Sequence, residues 1–371
     1  MIGLPIQTQP PAADEIEFSL FGSGYGECIV LHLGRGDWVV VDSCKDAAED
    51  IPVALAYLKR IGVDPEKSVR LVVATHWHDD HICGISKVLD SAKNAALSIS
   101  GAFQDSDFRL ALGPWLANAT SVDGKGVGEI DKLISITKKH SSHVIPASEN
   151  KVLFERHDGD PVQVRALSPS DPAVISCIAQ LKGIDRGHYC RRLPKIEGNH
   201  ASVVLSVQVG TRRILLGGDL ECRADRKFGW LAIVDLQNGS AAPKHHLFKI
   251  PHHGSSNGHH EEIWSSLLHP NPYSALTPVV TGSTTLPKSS DRDRMLEFTN
   301  QAFLTTTPKP VKFRDQKDRA VEKTMQETAR KLVVIPQSNG HICMRGSNDD
   351  TPSNWTVTCH GGAIPLQQMP D

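Results

Sequence analysis

The sequence lacks the features that mark several common classes of protein. Its eight cysteines include no CxxC pair, which argues against a zinc knuckle or a disulfide scaffold and favours buried thiols in a reducing compartment. The N-terminus has no charged stretch followed by an apolar one, and no apolar run approaches the ~18 residues of a membrane span. These absences predict a cytoplasmic protein that makes no membrane contact.

A strong charge of either sign is missing as well. The chain has 40 Lys and Arg residues against 42 Asp and Glu residues, a formal net charge of -2, so no global basic field indicates a nucleic-acid partner. A local basic groove is still compatible with this balance. With 371 residues, of which 39% are hydrophobic, the chain is long enough for one large domain with a sizeable core.

The sequence does contain a set of short apolar runs rich in β-branched residues. Such runs predict buried strands, and they read CIVLHL, WVVVDS, LVVATH, ASVVLSVQV, RILLGGD and HLFKIP. Between the second and third runs, apolar residues from Ile51 to Leu58 recur at helical spacing, and this pattern ends at Gly62. A strand, a helix and a returning strand predict an α/β fold built in layers.

Composition divides the chain into three parts. Residues 1–15 are expected to be a flexible N-terminus, residues 16–345 one large domain, and residues 346–371 a closing strand with a loose C-terminal tail. Within the domain, the segment 88–195 contains a Gly-rich stretch and a basic stretch. We expect this segment to be an insertion or lid, and it could also bind a protein partner.

Residues that could do chemistry follow the predicted strands. Asp42 follows WVVV, the stretch THWHDDH follows LVVA, Asp219 follows ILLGG, and His252 and His253 follow LFKIP. In open α/β folds ligands bind at the carboxyl ends of strands. We therefore expect these side chains to converge on one site.

The stretch THWHDDH has the pattern of a metal site. His76 and His78 are two residues apart, so in an extended segment their side chains point the same way and can chelate one ion. Asp80 and His81 follow where the chain turns into a helix, and they can face a second ion. The alternative is a solvated polar turn, but four ligand-type residues in the order H-x-H-x-D-H favour metal.

Asp219 could bridge two such ions. A water molecule held between two divalent ions is deprotonated near neutral pH and becomes a nucleophile. Asp80 and Asp219 are therefore the predicted catalytic carboxylates, whereas Asp79 is expected to be a bystander.

These residues resemble the motifs of the metallo-β-lactamase superfamily, whose fold is an αββα sandwich with a one- or two-metal hydrolytic site. THWHDDH is similar to the H-x-H-x-D-H signature, and this chain would carry an insertion between its metal motifs. Three further stretches are similar to motifs of the branch that includes the hydrolase domain of ComEC-type competence proteins. They are GSGYGECIVLHLGRGDWVVVDSC, NHASVVLSVQVGTRRILLGGDLE and LFKIPHHGSS, and the resemblance covers roughly residues 16–345.

The resemblance implies a role for each matching residue. His76, His78, Asp80 and His81 would be metal ligands, and Asp219 would bridge two divalent ions, zinc or else manganese.

Four further residues complete the implied site. The superfamily often has another histidine shortly before the bridging aspartate, and His200 lies 19 positions before Asp219. Either His252 or His253 would complete the second ion's ligands. Asp42 and Asn199 are expected to support the ligands through hydrogen bonds.

The sequence also departs from the branch. Position 27 is Glu where the branch usually has Asp, and Cys83 stands where glycine is common. The branch often has a histidine-proline pair downstream of HHGS, where this chain reads TTLPKSSDRDR. These changes concern substrate contacts rather than metal ligands.

The expected activity is that of a metal-dependent phosphodiesterase, most simply a nuclease that cleaves DNA or RNA. Lys249, Gly254, Ser255 and Ser256 are candidates to contact phosphate oxygens. One alternative is a small-molecule hydrolase of the same fold, acting on a cyclic nucleotide, a phosphocholine ester or a thioester. An alternative of another class is a partner-binding module that keeps the fold without catalysis.

Overall fold

The computed structural model describes residues 7–45, 51–103, 125–182, 198–281, 284–308, 340–348 and 350–370. The predictions for residues 1–6, 104–124 and 183–197 lie outside these ranges. In the described part of the chain, no helix has both the length and the apolar surface that crossing a bilayer would need.

The strands and helices alternate along the chain. The strands are β1 (Glu15–Gly22), β2 (Cys28–Leu33), β3 (Trp38–Val41), β4 (Val69–Ala74), β5 (Ala96–Ser100), β6 (Val144–Ala147), β7 (Val152–Arg156), β8 (Val162–Ala166), β9 (Leu205–Val209), β10 (Arg212–Leu216), β11 (His245–Lys249), β12 (Leu268–Leu276), β13 (Val279–Thr281), β14 (Thr284–Leu286), β15 (Ala302–Leu304), β16 (Gly340–Ser347), β17 (Thr356–His360) and β18 (Ile364–Pro365). The helices are α1 (Val53–Arg60), α2 (Pro65–Ser68), α3 (Asp79–Ile82), α4 (Ile85–Ser91), α5 (Lys125–His140), α6 (Asp171–Lys182), α7 (Gly229–Ser240) and α8 (Ser289–Leu296).

Two large sheets carry most of the strands. The first has the order β17-β16-β1-β2-β3-β4-β5-β6, and the second has the order β18-β15-β12-β11-β10-β9-β8-β7. β13 and β14 form a separate two-stranded sheet.

The apolar runs are buried on both faces, which places the sheets between helices. In β4, Leu71 and Val73 share a buried cluster with Ile214 of the second sheet. Val72 and Ala74, which point the other way, share a cluster with α1 and α4. On the far side of the second sheet, α7 packs in a third cluster with strands β10 and β11. The layers are therefore helix, sheet, sheet and helix, which confirms the predicted αββα sandwich.

The described part of the segment 88–195 contributes strands to the sandwich. β5 and β6 continue the first sheet beside β4, while β7 and β8 extend the second sheet beside β9. These residues therefore belong to the core layers, unlike the insertion or lid expected from the sequence. β6 and β7 are short and only partly buried, so their apolar pattern is weak.

The C-terminal tail also differs from the expectation of a loose end. β18 pairs with β15 in the second sheet. Leu366 is fully buried and Met369 is 5% exposed, and both belong to the cluster beneath α7. Burial of these apolar side chains holds the tail against the sandwich.

Strand direction creates the edge on which the site is built. β3 and β4 run parallel, and β10 and β11 run parallel, so the carboxyl ends of each pair lie together. The backbone N–H of Val203 donates to the carbonyl oxygen of Thr75 at 3.1 Å and joins the two sheets there. The loops after four strands therefore meet at one edge.

Replacing Leu71 by alanine tests the layer packing. Leu71 is fully buried between the sheets, so Leu71→Ala should lower the free energy of unfolding by about 2–5 kcal/mol. Ile175→Ala is the control, because Ile175 is 67% exposed and its loss should change stability by no more than about 0.5 kcal/mol. Urea denaturation followed by circular dichroism measures both, and equal effects would contradict the assignment of the core.

Candidate metal centre

Asp42 is a buried carboxylate that orients two imidazoles. It accepts hydrogen bonds from the backbone N–H of Thr75 (2.8 Å), from the Thr75 hydroxyl (2.7 Å) and from Nδ1 of His81 (2.8 Å). Nδ1 of His76 lies 3.0 Å from the same hydroxyl, whose proton is already given to Asp42. Both rings therefore use Nδ1 as a donor, which leaves Nε2 with the lone pair that a metal requires.

His76 and His78 lie side by side at the end of β4. Nε2 of His76 is 3.1 Å from Nδ1 of His78, and His76 is completely buried. Burial and the neighbouring imidazoles lower the pKa of His76 well below its usual range. Burial also lowers the pKa of His78. Both rings are therefore in the neutral form that binds metal.

Asp219 lies between two further imidazoles. Its Oδ1 is 3.3 Å from Nε2 of His81, and its Oδ2 is 3.5 Å from Nε2 of His253. Asp80 completes the group, with Oδ2 at 3.3 Å from Nε2 of His253 and 3.8 Å from Nε2 of His81. Ligand atoms of Asp80, His81 and His253 all lie within 4.8 Å of one another.

Several buried atoms in this group make no hydrogen bond with any described residue. They are Nε2 of His81, Nε2 of His253 and Oδ1 of Asp219. Unpaired buried polar atoms are costly unless something else satisfies them. Imidazole nitrogens and carboxylate oxygens that share one small space are the donor set of a divalent transition metal, so the residues fit such an ion.

The buried carboxylates and imidazoles of this group shift one another's pKa values. Burial by itself would raise the pKa of the Asp219 carboxyl, but His81 and His253 lower it well below its usual range. The pKa of His81 is raised, because the charges of Asp219 and Asp80 outweigh its burial. A divalent cation bound between these groups would take the place of a proton on an imidazole, because metal ligands must be deprotonated.

The two histidines after β11 contact different groups of residues. His253 joins Asp80 and Asp219, whereas Nδ1 of His252 lies 3.4 Å from Oε1 of Glu221. Both histidines have left-handed backbone, with φ of 48° and 53°. This rare conformation turns the two rings to different sides.

His200 and Asn199 lie with His252 in a half-buried polar cluster. Nε2 of His200 is 3.4 Å from Oε2 of Glu221, and the Asn199 amide donates to Oε1 of Glu221 at 3.0 Å. Nε2 of His252 is 3.3 Å from the same amide nitrogen. The His252 ring also lies 6.3 Å from the His253 ring, centroid to centroid, so this cluster adjoins the group around Asp219.

Lys249 does not have the exposed position expected of a phosphate contact. Its side chain is completely buried, and Nζ lies 2.5 Å from Oε1 of Glu27 and 3.9 Å from Oδ1 of Asp219. Nζ also donates to the carbonyl oxygen of Gly218 at 3.0 Å. Lys249 therefore lies buried beside the site, where it contacts carboxylates, instead of facing a substrate.

The loop after His253 also differs from the expected phosphate cradle. The backbone N–H groups of Gly254 and Ser255 donate to the carbonyl oxygens of Pro251 and His252. Gly254 is buried with φ of 79°, and a Cβ there would lie 2.9 Å from a methyl carbon of Leu276. Both N–H groups are used inside the turn.

Ser256 is exposed beside this turn, and Ser255 is half-buried. Their hydroxyls, rather than the backbone, face the surface near the site.

Sequence reasoning missed three residues of the site. Glu221, two positions after Asp219, joins His200 and His252, and its only signal was the acidic end of GGDLE. Glu27 was noted solely as a departure from the branch, yet it pairs with Lys249 and accepts a hydrogen bond at 2.5 Å from Thr277, which contacts Nδ1 of His253. Tyr25 is 49% exposed at the rim, where burial and the charges of nearby aspartates raise its pKa to about 12.

A family model described as the metallo-beta-lactamase superfamily matches residues 22–104. This range contains Asp42 and the whole of THWHDDH. Over these residues the chain is similar to the metallo-beta-lactamase superfamily. Proteins of this superfamily are in general metal-dependent hydrolases, in agreement with the donor set at the strand ends. A comparison with curated proteins gives no match.

The solved structures to which the chain is similar share little sequence with it. The diiron β-hydroxylase CmlA from Streptomyces venezuelae is 14% identical over 65% of this chain, with a TM-score of 0.33, and this chain spans about a third (35%) of its length. YhfI from Bacillus subtilis is 12% identical over 63% of this chain and 71% of its own, with a TM-score of 0.33. Human tRNase Z, short form, is 14% identical over 63% of this chain and 74% of its own, with a TM-score of 0.31.

Asp42→Asn should weaken metal binding without abolishing it. An asparagine can present an N–H to Nδ1 of His81, which opposes the tautomer with a lone pair on Nε2. Loss of such a supporting carboxylate typically costs 10–100-fold in metal affinity, and we expect about that loss for zinc. Competition with a chromophoric chelator measures it. Asp90→Asn, at a half-exposed carboxylate that pairs with Lys139, is the control, and equal affinities of all three proteins would exclude an orienting role for Asp42.

Glu27→Gln should destabilise the fold by about 3–5 kcal/mol, because it removes the nearest counter-charge of the buried Lys249 and leaves only Asp219 at 3.9 Å. The double variant Glu27→Gln with Lys249→Met removes both charges and should recover part of this loss. Thermal and urea unfolding of the single and double variants measure the difference. A double variant less stable than Glu27→Gln alone would contradict the pairing.

Proposed function

We propose that the protein is a metal-dependent phosphodiesterase of the ComEC-like branch, with DNA or RNA as its substrate. The observation that carries this proposal is the convergence on Asp219 of imidazoles from two strand ends, together with buried ligand atoms that no described residue satisfies. The order of the four sequence motifs, ending in LFKIPHHGSS, supports the branch.

Two sets of residues would hold two divalent ions, zinc or manganese. His76 and His78 would bind one ion, and Asp80, His81 and His253 would bind the other, with Asp219 shared between them. When bound, such ions lower the pKa of a water molecule and stabilise negative charge on a phosphoryl group.

The chain's own residues prepare this chemistry. Asp42 holds His81 through Nδ1, and Thr277, which donates to Glu27, contacts Nδ1 of His253. The burial of these rings keeps bulk water away from their Nε2 atoms and strengthens every charge interaction in the site. Rings held in this way need little rearrangement during the reaction.

The surroundings favour an oxygen-rich substrate. His200, Asn199 and His252 place hydrogen-bonding groups around Glu221 at the half-buried side of the centre. Arg223 contacts Nδ1 of His200 and adds a positive charge there. Tyr25 offers an exposed ring at the rim, on which a nucleobase could stack.

The net charge of -2 favours a second candidate, a small-molecule hydrolase acting on a cyclic nucleotide, a phosphocholine ester or a thioester. Such a substrate needs no basic stripe along the surface. The partner-binding module is disfavoured, because every ligand-type residue of the motif set is present.

A substrate panel on Asp80→Asn and Asp79→Asn tests the proposal. Asp80 lies within the group of ligand atoms and Asp79 is its predicted bystander neighbour, so Asp80→Asn should lower phosphodiester cleavage by roughly 10²–10³-fold or more, and Asp79→Asn should act like the wild type. The panel contains single-stranded and duplex DNA, RNA, a cyclic nucleotide, a phosphocholine ester and a thioester, each with zinc and with manganese.

Cleavage of the thioester with every phosphodiester left intact would overturn the phosphodiesterase. Cleavage of the cyclic nucleotide without either nucleic acid would favour the second candidate. Equal activity of the two variants would remove Asp80 from the catalytic centre.

A further inference from the structure

A polar cavity of about 430 Å³ lies on the outer face of the second sheet, away from the metal centre. Its lining includes Gln163, Arg165, Ser206, Gln208, Arg213 and Gln237. The volume is in the range of pockets that hold small molecules, roughly 300–1,000 Å³. The cavity therefore has room for more than a single ion.

Strand register brings the polar lining together. Gln163 of β8 pairs with Gln208 of β9, which pairs with Arg213 of β10, so the three form one row across the sheet. In the next row, Arg165 of β8 pairs with Ser206 of β9, which pairs with Leu215 of β10. The alternate residues of these strands point inward and are apolar.

The cavity begins where helix α7 ends. The helix packs on Leu215 and its neighbours, and it ends at Ser240, which lines the cavity together with Ala242. Beyond this end the outer face of the strands is not covered by α7. An uncovered sheet face is normally a flat, solvated surface, whereas this one is concave.

Two arginines give the cavity an unbalanced positive charge. The Arg165 guanidinium donates to Oε1 of Gln163 at 2.8 and 3.1 Å and to the carbonyl oxygen of Asn150 at 3.0 Å, which are neutral acceptors. Arg213 is half-buried and makes no hydrogen bond or ion pair with any described residue. None of the described lining residues is Asp or Glu.

The neighbouring groups do not neutralise this charge. Burial lowers the pKa of Arg213, and it lowers the pKa of His245 to about 4, with the charge of Arg213 adding to that effect. Nε2 of His245 lies 2.8 Å from the Ser206 hydroxyl. A partly desolvated guanidinium without a counter-charge is unfavourable, and an anion in the cavity would remove that cost.

We propose that this cavity binds a small phosphorylated molecule of about the size of a mononucleotide. A phosphate group has three acceptor oxygens, enough for the Arg213 fork and for a remaining N–H of Arg165, whose own fork already holds Gln163, whereas a carboxylate has two. The amides of Gln163, Gln208 and Gln237 can donate and accept, so they suit the hydroxyls or ring nitrogens of the remainder of the ligand.

The C-terminus of α7, with its backbone carbonyl groups, determines how the ligand is oriented in the cavity. A helix C-terminus disfavours a nearby anion, but this effect is weaker than one charge-assisted hydrogen bond to a guanidinium. The phosphate therefore lies on the strand side, near Arg213, and the neutral part lies toward Gln237 and Ser240.

This site is separate from the metal centre. Arg213 lies near the start of β10 and on its outer face, whereas Asp219 follows the end of that strand. The inference does not depend on the proposed phosphodiesterase activity.

Calorimetric titration of the metal-loaded full chain with adenosine 5′-monophosphate and with inorganic phosphate tests the proposal. Arg213→Gln and Arg165→Gln should each raise the Kd for the mononucleotide about tenfold or more. Arg213→Lys keeps the positive charge but not the paired N–H groups of the guanidinium, so its Kd for the mononucleotide should lie between those of Arg213→Gln and the wild type. Arg60→Gln, at an exposed position on α1, should bind like the wild type, and circular dichroism checks that each variant is folded.

Two further arms separate this cavity from the metal centre. Asp80→Asn should keep the mononucleotide affinity, and Arg213→Gln should keep the cleavage activity of the wild type. Unchanged affinity in folded Arg213→Gln, loss of affinity in Asp80→Asn alone, tighter binding of succinate than of phosphate, or no binding of either probe would each overturn the proposal.

Discussion

The carboxylate of Asp219 is buried at the joint of two sheets, and the rest of the site depends on how its charge is balanced. A buried carboxylate without partners is strongly disfavoured. Here His81 and His253 each face one of its oxygens, and Lys249 lies 3.9 Å from Oδ1. These partners come from the ends of different strands, so the charge is balanced only when both sheets are in place.

The need to place these partners around Asp219 also explains the unusual backbone conformations near the site. Asp42, His252 and His253 all have positive φ, at 59°, 48° and 53°, and such residues cost of order 1–3 kcal/mol each in strained regions. Each lies directly after a strand and turns its side chain toward a ligand atom or a partner of one. The packing of β3 and β11 on both faces holds these conformations. Three of the eight described non-glycine residues with positive φ therefore lie where side chains are aimed at the site.

Local pattern was enough to predict an α/β fold in layers and the convergence of polar residues at strand ends, whereas the αββα sandwich and the ligand roles came from the family resemblance. Strands that are buried on both faces read as continuous apolar runs, and the polar residues that follow them meet at one edge for topological reasons. The burial of Lys249 was not predictable in this way, because its partner Glu27 lies in a distant part of the chain. The roles of Glu221 and of the turn after His253 likewise depend on long-range contacts and on which N–H groups a turn uses. In the segment 88–195, β6 and β7 are too short and too little buried to have a clear apolar period.

The metal content of the wild type and of Asp219→Asn tests the central claim most directly. Each protein is loaded with zinc or with manganese, passed through a desalting column, and measured by mass spectrometry of the metal. If Asp219 is shared by two ions, the wild type should hold about two equivalents and Asp219→Asn should lose most of both. A wild type that retains no metal, or an Asp219→Asn variant with the full wild-type content, would contradict the account.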